Sequence, residues 1–215
     1  MPHHELAIIG TGSGNTLLTE HFDDVDVAII EADRFGGTCL NVGCIPTKMF
    51  VLPADRVVHS RDAARIGVTI DGARADWPAI RDRIFARIDP IADGGEEYRR
   101  GQRHVTVYKA EARFLGDRRL ALSTGEEVTA DHIVIAAGSR PVLLGDVPGL
   151  EQADPDRGLH TSDSVMRMDT LPRRMVIIGG GLVACEFAHV FAAFGVEVTQ
   201  LQRSAHLPVH EETEV

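Results

Sequence analysis

Cysteine is scarce in this chain, three in 215 residues, too few for the stapled framework of a small secreted domain. Basic residues are outnumbered, 22 against 32 acidic, for a net charge of −10. That balance excludes a nucleic-acid-binding surface and an anionic-membrane surface, while leaving room for a local basic pocket that takes a phosphate. Long apolar runs are missing: nothing approaches the ~20 residues of a membrane span. The start, Met1, Pro2, His3, His4 and Glu5, has no basic region leading into an apolar stretch. A cytoplasmic protein without membrane or nucleic-acid partners is expected. Aromatic residues are few, at 5%. Histidines number ten, but His3, His4, His104, His132, His160, His189 and His206 show no metal-ligand spacing, so no metal site is expected.

Glycine, by contrast, is frequent and placed. The apolar run 6–9 leads into Gly10, Thr11, Gly12, Ser13, Gly14 and Asn15, and a second apolar run, 25–30, ends in Glu31. The pattern predicts a strand, a glycine turn, a short helix, a second strand and an acidic tip, the βαβ unit that binds dinucleotides. Gly10 makes the tight turn, Gly12 and Gly14 keep the backbone bare for a pyrophosphate, and Glu31 is placed for ribose hydroxyls. Asn15 stands where this fingerprint has its third glycine, a departure expected to loosen or re-angle the helix.

The two cysteines of the N-terminal half lie in residues 36–48, Gly36, Gly37, Thr38, Cys39, Leu40, Asn41, Val42, Gly43, Cys44, Ile45, Pro46, Thr47 and Lys48. A redox-active disulfide, a structural disulfide, a metal site and two unrelated thiols are all chemistries of a cysteine pair. In a regular helix, at about 100° per residue, positions five apart point away from each other, so a bridge requires an irregular turn here. Gly43 provides the freedom for one, and Pro46 suits the first turn of a following helix. The third cysteine, Cys185, sits in an apolar helical stretch and is expected to be a small packed residue.

Beyond residue 48, helices are predicted to about residue 64 and over 77–100. Short segments at 105–108, 112–115, 119–122 and 127–129 predict a small antiparallel insert. Residues 131–135 form an apolar strand that breaks at Ala136, Ala137 and Gly138. A stretch rich in Gly, Pro and Asp marks a boundary. A second fingerprint follows, Gly179, Gly181 and Ala184, with a helix to about 194 and a strand over 196–201 that ends at Gln202 and Arg203.

The segment 38–51 together with the two fingerprints closely resembles the class I pyridine nucleotide-disulfide oxidoreductases, and within them a branch that reduces a low-molecular-weight thiol disulfide. The resemblance implies an α/β fold: an FAD-binding Rossmann-like domain with a small antiparallel β insert (1–150), a linker (151–172), and the first βαβ of an incomplete NADPH-binding domain (173–215). It implies a redox-active Cys39–Cys44 disulfide, with Cys44 facing the flavin and Cys39 exchanging with substrate, and a catalytic Lys48 paired with Glu186. FAD is assigned to Gly10, Gly12, Gly14, Glu31, Gly37, Thr38, Lys48, Ala137 and Gly138, and NADPH, rather than NADH, to Gly179, Gly181 and Arg203. Leu182 falls where many relatives have an aromatic over the flavin. Whole relatives are homodimers of about twice this length, so the chain is expected to be an N-terminal half without the interface domain. A non-catalytic flavin-binding remnant and a lipoamide dehydrogenase or glutathione reductase type are the alternatives.

Overall fold

The computed structural model describes residues 1–145 and 147–203; His206 and the rest of 204–215, the tail of the expected second βαβ, lie outside the described residues. The strands are β1 (His3–Ile9), β2 (Val27–Glu31), β3 (Val105–Lys109), β4 (Ala112–Gly116), β5 (Arg119–Leu122), β6 (Glu127–Ile135), β7 (Arg174–Ile178) and β8 (Glu197–Leu201). The α-helices are α1 (Gly37–Asn41), α2 (Cys44–Asp62), α3 (Trp77–Arg100) and α4 (Leu182–Ala193). By internal contact the chain forms two compact units, Met1–Gly43 with Arg87–Arg140, and Cys44–Ala86 with Pro141–Val215. The boundary falls inside α3, and residues 151–172 group with the second fingerprint.

The first unit is built on one sheet in the order β3-β2-β1-β6-β5-β4. β3, β2, β1 and β6 are mutually parallel, and β5 and β4 continue the sheet antiparallel. A parallel strand is covered on both faces and so reads as a continuous apolar run; Val27, Ala28, Ile29 and Ile30 are all buried. Alternate residues feed separate cores. Ala7, Ala28 and Ile30 pack with Leu120, Val128 and Ala130, while Leu6, Ile8, Val27 and Ile29 pack with Phe35 and Val105.

In the second unit the few aromatic residues concentrate. Phe50 stacks on Trp77 at 5.0 Å between ring centroids, and Trp77 meets Phe191 and Phe194, with Phe85 and Phe187 extending the cluster. The indole N–H of Trp77 donates to the carbonyl of Met168 at 2.8 Å, so the ring is buried without losing its hydrogen bond. β7 and β8 pair in parallel. One face of the pair, with Met175, Ile177, Val198 and Gln200, is half-buried, and the other, with Val176, Ile178, Thr199 and Leu201, is exposed.

Two expectations need correction. The short helix after the first glycine turn is two 3-10 pieces, Ser13–Leu17 and Glu20–Phe22: Ser13, Gly14, Asn15 and Thr16 are poor helix formers, and the Asn15 and Thr16 side chains bond instead to the carbonyls of Gly10 and Ser13. The strands at 105–108 and 127–129 are not parts of a separate insert: the first is the parallel edge strand β3, and the second is continuous with 131–135 as β6. Only β4 and β5 are antiparallel additions. The helix expected to run from a first turn at Pro46 to about residue 64 spans Cys44–Asp62.

Candidate functional site

The chain leaves β1 on one side toward β2 and returns to β6 on the other, so the carboxyl ends of β1 and β6 flank a topological switch point, where α/β sheets bind ligands. Gly10 stands there. Its N–H donates to the Ile30 carbonyl at 2.8 Å, and Ala136 N–H donates to the Ile9 carbonyl at 2.9 Å. Gly10 has φ +104°, and a Cβ on it would lie 2.2 Å from the Ala136 carbonyl oxygen. A Cβ on Gly37, φ +64°, would lie 2.5 Å from the Cα of Gly12. The two glycine segments therefore meet backbone to backbone.

Asn15 does not loosen this turn. Its Nδ2 donates to the Gly10 carbonyl at 3.2 Å, and its own carbonyl accepts from Arg99 at 3.1 Å. The close packing that a third glycine would permit falls instead at Gly14, where a Cβ would come within 2.2 Å of the Ala136 Cβ. Since the following element is a five-residue 3-10 piece, the donors presented here are bare backbone N–H groups rather than the end of a helix dipole.

Glu31 ends β2. Its Oε2 accepts from the Thr11 N–H at 3.0 Å and from the Thr11 hydroxyl at 2.6 Å, and its Oε1 accepts from the Asp33 N–H at 2.8 Å. The loop beyond is tied down on several sides. Arg34 pairs with Asp89 and, at 3.2 Å, with Asp93. Burial works against the Arg34 charge, but its hydrogen bonds and the charges of the two carboxylates hold its pKa above the ordinary value. Buried Asn41 donates to the carbonyls of Phe35 at 2.9 Å and Gly37 at 3.1 Å, pinning the Gly36 and Gly37 turn. Neither Thr11 nor Asn41 stood out in the sequence by role. A hydroxyl between the fingerprint glycines, twenty positions before the acid, was the available signal for Thr11.

Cys39 and Cys44 are disulfide-bonded, and Cys185 is free and half-buried. The irregularity that a bridge requires is present: α1 ends at Asn41, and α2 starts at Cys44. Gly43 is needed there because a Cβ would stand 2.8 Å from the Thr38 carbonyl oxygen and 3.1 Å from the Cys39 Cα. Pro46 and Thr47 are buried in the first turn of α2. Thr38 has its hydroxyl 3.9 Å from where a Cβ on Gly138 would be; Gly138 has φ +74°, and both Ala137 and Gly138 are exposed.

Within the second unit, Lys48 of α2 is ion-paired with Glu186 of α4. His189 Nε2 lies 2.8 Å from Asp55 Oδ1, and Arg61 donates to the Ala193 carbonyl at 2.8 Å. The partners advance together along both helices, so α2 and α4 run parallel, with Lys48 and Glu186 at the N-terminal end of the seam. In the second fingerprint Gly179 has φ +137°, and Gln200 donates to its carbonyl at 2.9 Å. Gly181 caps α4. Leu182 is exposed, and Arg203 is exposed just past β8. The structure thus brings Lys48 to Glu186, Glu31 to the first glycine turn, and Cys39 to Cys44. Among the described residues no group of three or more His, Cys, Asp or Glu could hold a metal ion, and no helix is long and apolar enough to cross a membrane.

A family model described as pyridine nucleotide-disulphide oxidoreductase matches residues 4–214. The mycothione reductase of Mycobacterium tuberculosis, strain H37Rv, is 48% identical over 215 residues, covering 98% of this chain and 46% of that protein. The dihydrolipoyl dehydrogenase of Chlamydia pneumoniae is 32% identical over 208 residues, 94% of this chain and 43% of its own. Among solved structures, the HOCl-induced flavoprotein disulfide reductase RclA from Escherichia coli superposes with a TM-score of 0.82 at 25% identity, covering 98% of this chain and 45% of that one. The chain spans less than half the length of the relatives it matches. The branch expected from segment 38–51 is that of the mycothione reductases.

Proposed function

Because the chain belongs to the pyridine nucleotide-disulphide oxidoreductase family, we propose that it carries the flavin site and the redox disulfide of an FAD-dependent, cytoplasmic reductase. In this reading electrons come from NADPH and go to a low-molecular-weight disulfide, mycothione, the disulfide of mycothiol. The observation that supports it most is the Cys39–Cys44 bridge, set at the break between α1 and α2 and directly after Gly37, whose backbone meets Gly12. The bare backbone N–H groups of the glycine turn at residues 10–14 suit the pyrophosphate of a dinucleotide.

In this reading residues 1–150 hold FAD through Gly10, Gly12, Gly14, Gly37, Thr38, Ala137 and Gly138, with Glu31 accepting from a ribose hydroxyl. Residues 151–172 connect to residues 173–215, which contribute Gly179, Gly181 and Arg203 to NADPH. Arg203 offers a guanidinium for a 2′-phosphate where NAD sites carry an acid. Bound FAD supplies two-electron transfer between a pyridine nucleotide and a disulfide. Lys48, held by Glu186, provides a fixed cation. Two electrons and two protons open the Cys39–Cys44 bond to two thiols. The Cys39 thiolate then attacks one sulfur of the substrate, forming a mixed disulfide and expelling one thiol. Attack by the Cys44 thiolate on the Cys39 sulfur re-forms the bridge and expels the second.

The test stops the sequence halfway. Reduced Cys44→Ser protein incubated with the disulfide of mycothiol should gain one mycothiol by mass on Cys39, faster than one glutathione from glutathione disulfide. In the wild-type chain loaded with FAD, one equivalent of NADPH should generate two new thiols, with NADH slower and Arg203→Glu reversing the order. An adduct confined to Cys185, or a bridge that NADPH leaves intact in the FAD-loaded chain, would refute the proposal.

A further inference from the structure

Glu31 is the carboxylate at the tip of β2, and its surroundings are more specific than the fingerprint requires. An unbranched acid at a strand end ordinarily samples several rotamers, and a carboxylate that must accept from a ribose hydroxyl loses that freedom on binding. Here the freedom is already gone. Thr11 donates twice to one oxygen, from its N–H at 3.0 Å and its hydroxyl at 2.6 Å, and the Asp33 N–H donates at 2.8 Å to the other. The backbone donors are available to any residue at these positions, but the hydroxyl donor depends on the side chain at position 11. Thr11 is buried, 5% exposed, between two glycines whose own conformations are set by the approach of Ala136 and Gly37, so its hydroxyl is held on a rigid base.

We propose that Thr11 is a positioning residue for the adenosine half of the cofactor: its hydroxyl fixes the Glu31 carboxylate so that the one acceptor position left on it, on Oε1, is ready for a ribose hydroxyl before FAD arrives. Preorganisation of this kind raises affinity by removing an ordering cost, and it confines the gain to ligands that carry that hydroxyl. The inference rests on the reading of the first glycine turn as the FAD site.

The test separates the two. FAD affinity of the apo chain is measured by fluorescence quenching, and displacement of FAD is compared for ADP and 2′,3′-dideoxy-ADP, in wild type, Thr11→Val, Thr11→Ser and Glu31→Gln. Thr11→Val keeps the shape and removes the hydroxyl; Thr11→Ser keeps the hydroxyl. Loss of one charge-assisted hydrogen bond should weaken FAD binding about tenfold in Thr11→Val and erase most of the preference for ADP over its dideoxy form, while Thr11→Ser retains both. Melting temperatures of the apo proteins report folding, and a Thr11→Val that melts like wild type while losing the ribose preference identifies positioning. If Glu31→Gln loses the preference and Thr11→Val keeps it, the site stands and this inference falls. If Thr11→Ser behaves as Thr11→Val does, the methyl packing matters and the inference falls as well. A wild-type chain that binds neither FAD nor ADP overturns the site reading and the inference together.

Discussion

Replacing Gly10 with alanine tests whether the first glycine turn is built by contact or only by backbone conformation. Two costs add. At φ +104° an L-residue is disfavoured by about 1–2 kcal/mol. The new Cβ would also sit 2.2 Å from the Ala136 carbonyl oxygen and 2.8 Å from its carbon, where a relaxed carbon–oxygen contact needs about 3.3 Å. Those neighbours are backbone, so the ends of β1 and β6 must separate by roughly 1 Å, an overpacking cost of about 1–3 kcal/mol. Together the loss is about 2–5 kcal/mol, a large share of the ~5–15 kcal/mol that a domain has. Gly125 is the matched control: its φ is +92°, and nothing lies within 4 Å of its would-be Cβ. Gly125→Ala carries the conformational cost alone, and the entropy that alanine removes from the unfolded chain is common to both variants. Urea unfolding followed by circular dichroism should place Gly10→Ala below Gly125→Ala by about 1–3 kcal/mol at equal slope. Equal stability of the two variants would refute the account of the turn as a site of forced backbone approach.

Three other outcomes follow from the second unit. Phe50 is 1% exposed and stacked on Trp77, so Phe50→Ala should cost about 3–5 kcal/mol and red-shift tryptophan emission; a loss under about 1 kcal/mol would show that the cluster is not cohesive. Lys48 is 63% exposed in its pair with Glu186, so Glu186→Gln should change stability by less than about 1 kcal/mol, whatever it does to redox chemistry, and a large drop in melting temperature would contradict this. Burial lowers the pKa of His160, so the unfolded chain takes up its proton more readily. The corresponding stability is present above the ordinary histidine range of about 6.5 and is lost as pH falls through and below it. An NMR titration should show His160 protonating at lower pH than a free histidine, and His160→Gln should flatten stability between neutral and mildly acid pH; a raised midpoint would reverse the sign and sink the argument.

Local chemistry was enough to single out several parts of the candidate site. The glycines at 10, 12 and 37, the acid at 31 and the cysteines at 39 and 44 stand out by residue type and spacing, although Gly10 and Gly37 are held to glycine by backbone that arrives from Ala136 and Gly12. The helix expected over 77–100 is α3, Trp77–Arg100. What the sequence could not show depends on partners distant along the chain. β3 joins the parallel sheet beside β2 rather than an antiparallel insert, because burial against both cores, not its own pattern, decides its neighbour. The close approach moved from the third-glycine position to Gly14 because Ala136 arrives from the end of β6. Thr11 looks like any turn residue until β2 brings Glu31 within 2.6 Å of its hydroxyl. Lys48 and Glu186 could be matched by family resemblance alone, but only the parallel packing of α2 and α4 joins them. Residue type and short-range sterics therefore determined which groups this protein has for its chemistry, and long-range burial and strand pairing decided what each of them touches.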